Sequence, residues 1–521
     1  MNMRLIGFFL DFSGPIALLG LLLWLRSLKD IIEWPNFRGE WPLAALALLS
    51  SAIIFLSVSV DFKVLSDETN LLSVANMLTL FGKASNTELV THYYHLPHAL
   101  NFAMPTRPVL FPVLISLVQH AVGVHHWAPF VVNFALTFVL FWLTLHWARR
   151  MLSASLSPVL VSTLALLMSP VLAIVATSAG YDLCSLVFAF ALFLLLGRYN
   201  EKRDARTLQA IFYGMVCFAS VRYESIAAFP LLVLGLVLFE RLAWIKKVSA
   251  PVLGFVALLL LPLVLQRYLT WGNFENPPGV PAFSLSHLWH HLPVFLRTFF
   301  LDPSGPYPIL LHWLGMGGLL LSLRTLREYG WLPLCYGLFL VCLLLAHHFG
   351  FADHPTQARL FLPLSFALGL CGLYCLSRLE KWSDPRAILA IFLLLFVHHH
   401  QYAVSDPLST QLTMTREMRH IRVFLAKDDH RDDLIVYDRP GQLSALGFSA
   451  VSWTYFNEHR AELLLGLKNR LYQKVIAIDR VRYDTLPGKE FVSGEGYRLN
   501  ALREHQLSPD ERLRLSQMEL N

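Results

Sequence analysis

The stretch HWAPFVVNFALTFVLFWLTLHWARRM, residues 126–151, decides the fold class of this chain. It is a long apolar run without an acidic residue, and it ends in the pair Arg149 and Arg150. An α-helix of about 20 apolar residues, rising about 1.5 Å per residue, crosses the roughly 30 Å hydrocarbon core of a membrane. The stretch therefore predicts a transmembrane helix, and its paired arginines predict a cytoplasmic end.

Comparable apolar runs recur along the first 400 residues of the chain. The 521-residue sequence is 55% hydrophobic and 15% charged, with a mean hydropathy of +0.51, whereas soluble domains carry about 25% charged residues. Because backbone polar groups in lipid must be satisfied within each segment, the runs predict helices. We therefore predict an all-α polytopic membrane protein with about twelve transmembrane helices. The predicted helices lie near residues 5–25, 43–60, 126–147, 157–176, 181–197, 207–220, 224–240, 251–269, 306–323, 331–348, 359–377 and 387–403.

Basic residues divide the connections between these helices into two groups. Short connections rich in Lys and Arg alternate with longer ones at 61–125, 270–305, 349–358 and after about 404. Short basic loops face the cytoplasm, so the longer connections are predicted to face outward. The net charge of +6 then reflects orientation in the lipid bilayer and predicts no nucleic-acid partner. The chain has no N-x-S/T sequon, which favours a multi-pass protein of a bacterial inner membrane.

The composition changes near residue 405. DDLIVYD, residues 432–438, and KVIAID, residues 474–479, are short strand-like runs, and a segment with apolar residues at helical spacing lies between them. We predict two domains: residues 1–405 form the membrane domain, whose outer loop 61–125 carries an acidic pair. Residues 406–521 form a small α/β domain on the periplasmic side.

The acidic pair is Asp67 and Glu68, in KVLSDETNLLSVANML, residues 63–78. One interpretation is a helix start, because Ser66 is a good N-cap and first-turn acids gain about 0.3–1 kcal/mol each from the helix dipole. The other interpretation is a reaction centre at the membrane surface, because the loop that holds the pair is long. The pattern alone leaves both open.

Other charged residues lie at predicted helix ends. Arg359 is either an interfacial anchor or a phosphate contact, since guanidinium matches phosphate oxygens in bidentate geometry. Arg222 and Glu224, in VRYES, form either a mutual charge pair or part of a functional site, because ionisable residues at membrane depth mark function. Asp182 alone predicts a helix cap.

Histidine and cysteine give no metal site. The six cysteines all lie in apolar segments and predict small buried hydrophobes. Among the 21 histidines, His92, His95 and His98 have a spacing that would place ligands on one helix face, but Pro97 interrupts it. We favour interfacial polar-aromatic packing there and predict no metal ligands.

The order of several short motifs resembles the GT-C glycosyltransferases, and among them the branch of protein O-mannosyltransferases and bacterial aminoarabinose transferases. After the acidic pair come RPVLFPVLISLVQHAVG, residues 107–123, and the helix with paired arginines at 126–151. LALLMSPVLAIVATSAGYD, residues 164–182, is similar to the family's helix, short outer loop and aspartate. QARLFLPLSFALGLCGLYCL, residues 357–376, is similar to the family's Arg-x-x-x-Pro segment, here Arg359 and Pro363. Two departures are a second helix before the acidic loop and Thr106-Arg107-Pro108 where the family has a double proline after a histidine.

The resemblance implies an enzyme that takes a sugar from a polyprenyl-phosphate donor and transfers it, with inversion, to an unknown acceptor on the outer face. Since phosphate is already a good leaving group, the reaction needs a base near the acceptor hydroxyl and positive charge for the phosphate. Asp67 is the predicted catalytic residue, supported by Glu68. Arg359 is the predicted phosphate contact.

The predicted substrate-binding set is completed by five further residues: Arg222, Glu224, Asp182, Lys83 and Arg107. The sequence predicts no definite cofactor, and a divalent metal cation bound by Asp67 stays open because some GT-C enzymes employ one. Two alternatives were weighed: an O-antigen polymerase or ligase, and a polytopic transporter or flippase. The first would place its critical residues in a late loop, and the second would use the acids to bind a coupling ion.

Overall fold

The computed structural model of the chain describes residues 3–29, 31, 37–87, 89–93, 96–151, 170–270, 280–323, 328–379, 397, 400–427, 430–482, 497–508 and 511–520. Most of these residues are helical. Among the described residues, seven helical segments are long and apolar enough to cross a membrane. They are Arg4–Lys29, Ala128–Met151, Asp182–Lys202, Tyr223–Glu240, Ala250–Leu269, Glu328–Ala346 and Pro355–Arg378.

The described α-helices are numbered in chain order. They are α1 Met3–Lys29, α2 Phe37–Ser57, α3 Leu65–Phe81, α4 Leu110–Val122, α5 Ala128–Met151, α6 Pro170–Ala176, α7 Asp182–Lys202, α8 Ala205–Ala219, α9 Ala228–Glu240, α10 Ala243–Lys247, α11 Ala250–Leu269, α12 Leu285–Phe300, α13 Ile309–Leu323, α14 Trp331–Ala346, α15 Pro355–Ala358, α16 Leu362–Leu379, α17 Pro407–Gln411, α18 Thr413–Lys427, α19 Pro440–Ala445, α20 Trp453–Glu458 and α21 Arg460–Lys468. The strands are β1 Val90–Tyr93, β2 Leu96–Ala99, β3 Leu434–Val436, β4 Ser449–Val451, β5 Val475–Arg482, β6 Tyr497–Ser508 and β7 Glu511–Leu520.

The helical, multi-pass character predicted from the sequence is confirmed. The opening stretch forms α5, and ten of the twelve predicted segments coincide with described helices. Of the predicted helix 157–176, only the α6 residues are described, and the predicted helix 387–403 lies largely outside the described residues. The seven candidate spans agree with a multi-pass protein, and three shorter apolar helices are described at Trp41–Ser57, Leu110–Val122 and Ile309–Leu323.

One predicted connection contains an unpredicted helix. Within 270–305, α12 begins where the hydroxyl of Ser284 accepts a hydrogen bond from the backbone N–H of His287, at 3.1 Å. Such a side-chain cap satisfies one of the donors that a helix start leaves without a partner. The four histidine and tryptophan side chains of its first half obscured the helical pattern in the sequence.

The chain divides into two compact units. The first, here the helical unit, comprises Met1–Asp61, Thr106–Phe111 and Phe130–Pro407. The second, here the sheet unit, comprises Phe62–Pro105, Pro112–Pro129 and Leu408–Asn521. Much of the outer loop 61–125 thus belongs to the same unit as the C-terminal residues.

Close packing in the helical unit depends on glycine. Helices α13 and α16 pack face to face, and Gly315 and Gly318 of α13 lie against the backbone carbonyls of Leu368 and Cys371 of α16. A β-carbon at either glycine would overlap these carbonyl groups. Small residues allow membrane helices to approach at backbone distance, which gains van der Waals packing.

A seven-stranded sheet organises the sheet unit, in the order β2-β1-β4-β3-β5-β7-β6. The central strands β4, β3 and β5 are parallel, and the flanking pairs are antiparallel. The predicted strands in DDLIVYD and KVIAID are present as β3 and β5, with α21 before β5. The hairpin β1–β2 joins this sheet through Val90 and Ala450, and the sequence did not predict it.

Candidate functional site

A buried aspartate bridges two arginines in the helical unit. Asp182 is the first residue of α7 and is 4% exposed. Its Oδ1 accepts a hydrogen bond from Arg222 Nη1 at 2.6 Å, and its Oδ2 accepts one from Arg359 Nη1 at 2.8 Å. Each carboxylate oxygen therefore holds one guanidinium group, and charge-assisted bonds of this kind are about twice as strong as neutral ones. We call Asp182, Arg222 and Arg359 the arginine clamp.

Local backbone structure brings the two arginines to Asp182. Arg222 lies between the end of α8 and the 3-10 turn Tyr223–Ala227, and its backbone N–H still donates to the carbonyl of Phe218, at 3.4 Å. Arg359 lies directly after α15, and its Nε donates to the carbonyl of Thr356 at 3.0 Å. The Arg359 side chain is thereby fixed at both ends of its guanidinium group.

A second layer of charge surrounds Tyr223, beside the clamp. Arg222 Nε lies 3.5 Å from Glu224 Oε2, and the guanidinium carbon of Arg267 lies 5.9 Å from the centre of the Tyr223 ring. Arg107 is close enough to act electrostatically on both Tyr223 and Glu224. The Tyr223 hydroxyl is buried and has no hydrogen-bond partner among the described residues.

Arginine predominates among the described charged residues of this cluster. In the described part of the chain, four arginines lie near two acids, Asp182 and Glu224. Guanidinium groups bind phosphate oxygens with two parallel hydrogen bonds. The cluster can therefore hold a phosphate group beside the Tyr223 hydroxyl.

The cluster contains most of the predicted substrate-binding residues. Arg359, Arg222, Glu224, Asp182 and Arg107 lie together in the helical unit. The predicted Arg222–Glu224 pair is present but long, because the same guanidinium bonds more closely to Asp182. The predicted cap role of Asp182 is wrong, since its carboxylate binds the two arginines.

Arg267 and Tyr223 were missed by sequence reasoning. Arg267 lies in the last turn of α11, where an isolated arginine is read as an interfacial anchor. Its only sequence signal was a charge at the end of a predicted span. Tyr223 stands between two residues that were singled out, but aromatic residues are common at membrane interfaces.

The acidic pair lies in the first turn of α3, in the sheet unit. Helix α3 begins at Leu65 with Val64 as N-cap and no side-chain cap, so the prediction that Ser66 caps the helix is wrong. Asp67 is 8% exposed and Glu68 is 1% exposed. Acids that merely mark a helix start are normally solvated, because burying a carboxylate is costly.

Glu68 also fixes the segment that enters α3. Its Oε2 accepts a hydrogen bond from the backbone N–H of Lys63 at 2.6 Å, and the Lys63 carbonyl accepts one from the Thr415 hydroxyl at 3.3 Å. The acid pair is thereby tied, through residue 63, to α18. Such a bond holds Glu68 in place and orients the turn that presents Asp67.

Lys83 lies at the other end of α3. It follows Gly82, which ends the helix in a left-handed conformation with φ of 67°. Lys83 lies sixteen positions after Asp67, and α3, which begins at Leu65 and ends at Phe81, accounts for most of that distance, about 1.5 Å per residue. The Lys83 ammonium lies 5.6 Å from the centre of the Phe102 ring, so the structure does not bring Lys83 to the acid pair.

The described residues provide no multidentate metal centre. They contain no group of three or more His, Cys, Asp or Glu side chains placed to hold a metal ion. His92 and His98 lie on β1 and β2 rather than on a helix.

Comparison with solved structures assigns the fold. The aminoarabinose transferase ArnT from Cupriavidus metallidurans aligns with 92% of this chain and 98% of its own, at 12% sequence identity, in two structures. The TM-score is 0.58 for its apo state and 0.55 for its complex with undecaprenyl phosphate. The chain has the GT-C fold. The fold predicted from the order of short motifs is thus confirmed.

Other comparisons add little to the GT-C assignment. The archaeal oligosaccharyltransferase AglB from Archaeoglobus fulgidus, solved with an inhibitory peptide and a dolichol-phosphate, aligns with 85% of this chain and 70% of its own. Its TM-score is 0.44 and its sequence identity 10%. No family model and no curated protein matches the chain.

Proposed function

We propose that this protein is a membrane glycosyltransferase of the GT-C type. It takes a sugar from a polyprenyl-phosphate donor and transfers it, with inversion, to an acceptor on the outer face of a bacterial inner membrane. Two facts support the proposal: the fold is that of ArnT over nearly the whole chain, and one of the ArnT structures holds undecaprenyl phosphate.

The observation that carries the proposal is the cluster of four arginines near Tyr223. A transporter for a neutral substrate has no need of four arginines around two acids at helix ends. A lipid-linked phosphate sugar does, because its leaving group is an anion whose charge grows as the glycosidic bond breaks. Asp182 holds Arg359 and Arg222 in place, and Arg107 and Arg267 lie near Tyr223 as further candidate phosphate contacts.

The reaction is a single displacement at the anomeric carbon. The acceptor oxygen forms a bond to that carbon from the face opposite the phosphate, while the bond from the carbon to the phosphate oxygen breaks. Asp67 takes the proton of the acceptor hydroxyl as general base, and Glu68 positions it through the hydrogen bond to Lys63. The polyprenyl phosphate leaves with the electron pair of the broken bond and is held by the arginines.

The test is mass spectrometry of lipid that co-purifies with the full chain in mild detergent. The Asp67→Asn variant should retain a polyprenyl-phosphate sugar, because donor binding survives while transfer stops. Its mass would identify the sugar. The Arg359→Ala variant should lose this lipid.

Ser66→Ala is the matched control, because Ser66 is the exposed neighbour of Asp67 in the same helical turn. It should behave as the unchanged protein in both lipid content and transfer. If Asp67→Asn retains only bulk phospholipid and remains functional in cells, the acids mark a helix start and the proposal fails.

A further inference from the structure

Helix α1 packs against the rest of the helical unit along one face. The buried side chains of this face include Phe9, Leu10, Leu21 and Trp24. The Trp24 ring lies against α8, where a β-carbon at Gly214 would stand 2.7 Å from the indole nitrogen. Because the buried residues recur at helical spacing, the opposite face of α1 points away from the other helices.

The opposite face of α1 is an exposed stripe that contains one acid. We call it the outer stripe, and its exposed residues are Arg4, Phe8, Asp11, Pro15, Leu22 and Arg26. Between the two arginines the stripe is apolar except for Asp11. Asp11 makes no hydrogen bond and no ion pair with any residue that the structure describes.

Asp11 lies inside the hydrocarbon layer when α1 crosses a membrane. Arg4 and Arg26 are separated along the helix by about 33 Å at 1.5 Å per residue, which matches a hydrocarbon thickness of about 30 Å. Asp11 is then about 10 Å from the level of Arg4. The residues between Asp11 and Arg26 would cover only about 21 Å, too little to place Asp11 at the membrane surface. A charged residue at such depth normally faces the interior of a bundle or a water-filled cavity rather than lipid.

Charge complementarity identifies the kind of helix that would cover Asp11. A lysine or arginine at the same depth on a neighbouring helix would supply the opposite charge, because ionisable residues in membranes pair with one another. A second copy of α1 would not supply it, since a two-fold pair of copies in one orientation brings Asp11 opposite Asp11. A helix can also approach closely here, because a β-carbon at Gly7, one turn before Asp11, would meet no atom within 4 Å.

We propose that the outer stripe of α1 docks a transmembrane helix of another protein, and that this helix carries a lysine or arginine opposite Asp11. The ion pair fixes the depth and rotation of the partner helix. The apolar side chains of Phe8, Pro15 and Leu22 provide the packing surface. The proposal depends on the membrane crossing of α1 and is independent of the proposed sugar transfer.

Energy transfer between the dye-labelled full chain in lipid vesicles and a labelled synthetic peptide tests the proposal. The peptide is a transmembrane polyleucine helix with one lysine about 10 Å from its end, and the control peptide has leucine at that position. The unchanged chain should bind the lysine peptide about tenfold more tightly than the control peptide. Asp11→Leu should abolish this preference. Glu201→Gln is the control variant, because it removes a 47% exposed acid from α7, and it should keep the preference.

Several outcomes would overturn the proposal. Equal binding of the two peptides by the unchanged chain would do so, and so would a preference that persists in Asp11→Leu. Energy transfer between two labelled copies of the chain that is lost in Asp11→Leu would identify the second copy as the occupant instead. Asp11→Cys tests the depth: a membrane-impermeant maleimide should label this variant no more than the unchanged chain, and additional labelling would place position 11 in water.

Discussion

Asp182→Asn tests the arginine clamp directly. Asparagine has the shape of aspartate, but it carries no charge and offers one acceptor oxygen in place of two. The carboxylate now serves Arg222 through one oxygen and Arg359 through the other. In the variant, one guanidinium keeps an acceptor and the other faces an amide N–H₂ group, which cannot accept a hydrogen bond.

The expected cost follows from the burial of the three side chains. Asp182 is 4% exposed, and the side chains of Arg222 and Arg359 are 12% and 11% exposed. Removing one partner of a buried ion pair typically costs about 3–5 kcal/mol, because the remaining charge stays buried without compensation. Since asparagine retains one acceptor, we expect the free energy of unfolding to fall by an amount near the lower end of this range, about 3 kcal/mol.

The measurement is unfolding of the helical unit in mixed micelles by increasing fractions of a denaturing detergent. Glu201→Gln is the control, because it removes an acid from the other end of the same helix. Glu201 pairs there with Arg150, and the two side chains are 47% and 63% exposed, so its loss should cost under about 1 kcal/mol. The double variant Asp182→Asn/Arg222→Gln should recover part of the loss, because it removes one of the stranded charges. If Asp182→Asn were as stable as the Glu201 control, the clamp would contribute nothing and the reasoning would be refuted.

Three further predictions concern other parts of the chain. Gly318→Ala should lower the free energy of unfolding by about 1–3 kcal/mol, because its methyl group overpacks α13 against α16. Gly317→Ala should lower it far less, because its β-carbon would make only an ordinary contact. Thermal unfolding of the two variants tests this difference. Glu240→Gln should cost about 1.5–3 kcal/mol in the same detergent titration, because the Glu240 carboxylate accepts hydrogen bonds from two tyrosines, a lysine and an arginine. Burial, and then the nearby His505 ring and arginines, lower the pKa of His420 below its usual 6.5. The folded protein therefore loses stability as the pH falls below that value, because the unfolded chain binds the proton more readily. The His420→Gln variant should show a smaller loss of thermal stability than the unchanged protein between about pH 8 and about pH 5, and an equal loss would contradict the assignment.

The helices were predictable because each is encoded locally. A run of apolar residues must form a helix in lipid, whatever surrounds it. The parallel strands were also visible, as short β-branched runs on either side of a helical pattern. The hairpin β1–β2 was not, because its histidine and aromatic residues resembled an interfacial segment. Its membership of the sheet depends on the pairing of Val90 with Ala450 of β4, 360 residues later in the chain.

The clamp shows where prediction from sequence stops. Asp182, Arg222 and Arg359 were each named, but as separate residues with separate interpretations. They are 40 and 177 residues apart, and nothing in the local pattern states that one carboxylate serves both arginines. The local interpretations were incomplete because each used only nearby residues. Asp182 was assigned to the helix start and Arg359 to the membrane interface, and Arg222 was paired with its neighbour Glu224, whereas the structure pairs both arginines with Asp182.

A carboxylate within a phosphate site has a physical purpose that the geometry makes plain. Two buried guanidinium groups repel each other, and without Asp182 they would separate or remain hydrated. Asp182 holds them at fixed positions, at the cost of part of their positive charge. Arg107 and Arg267 lie near Tyr223. Because Asp182 positions Arg222 and Arg359, Asp182→Asn should impair donor binding through disorder of the clamp, even though the loss of its negative charge makes the cluster more positive.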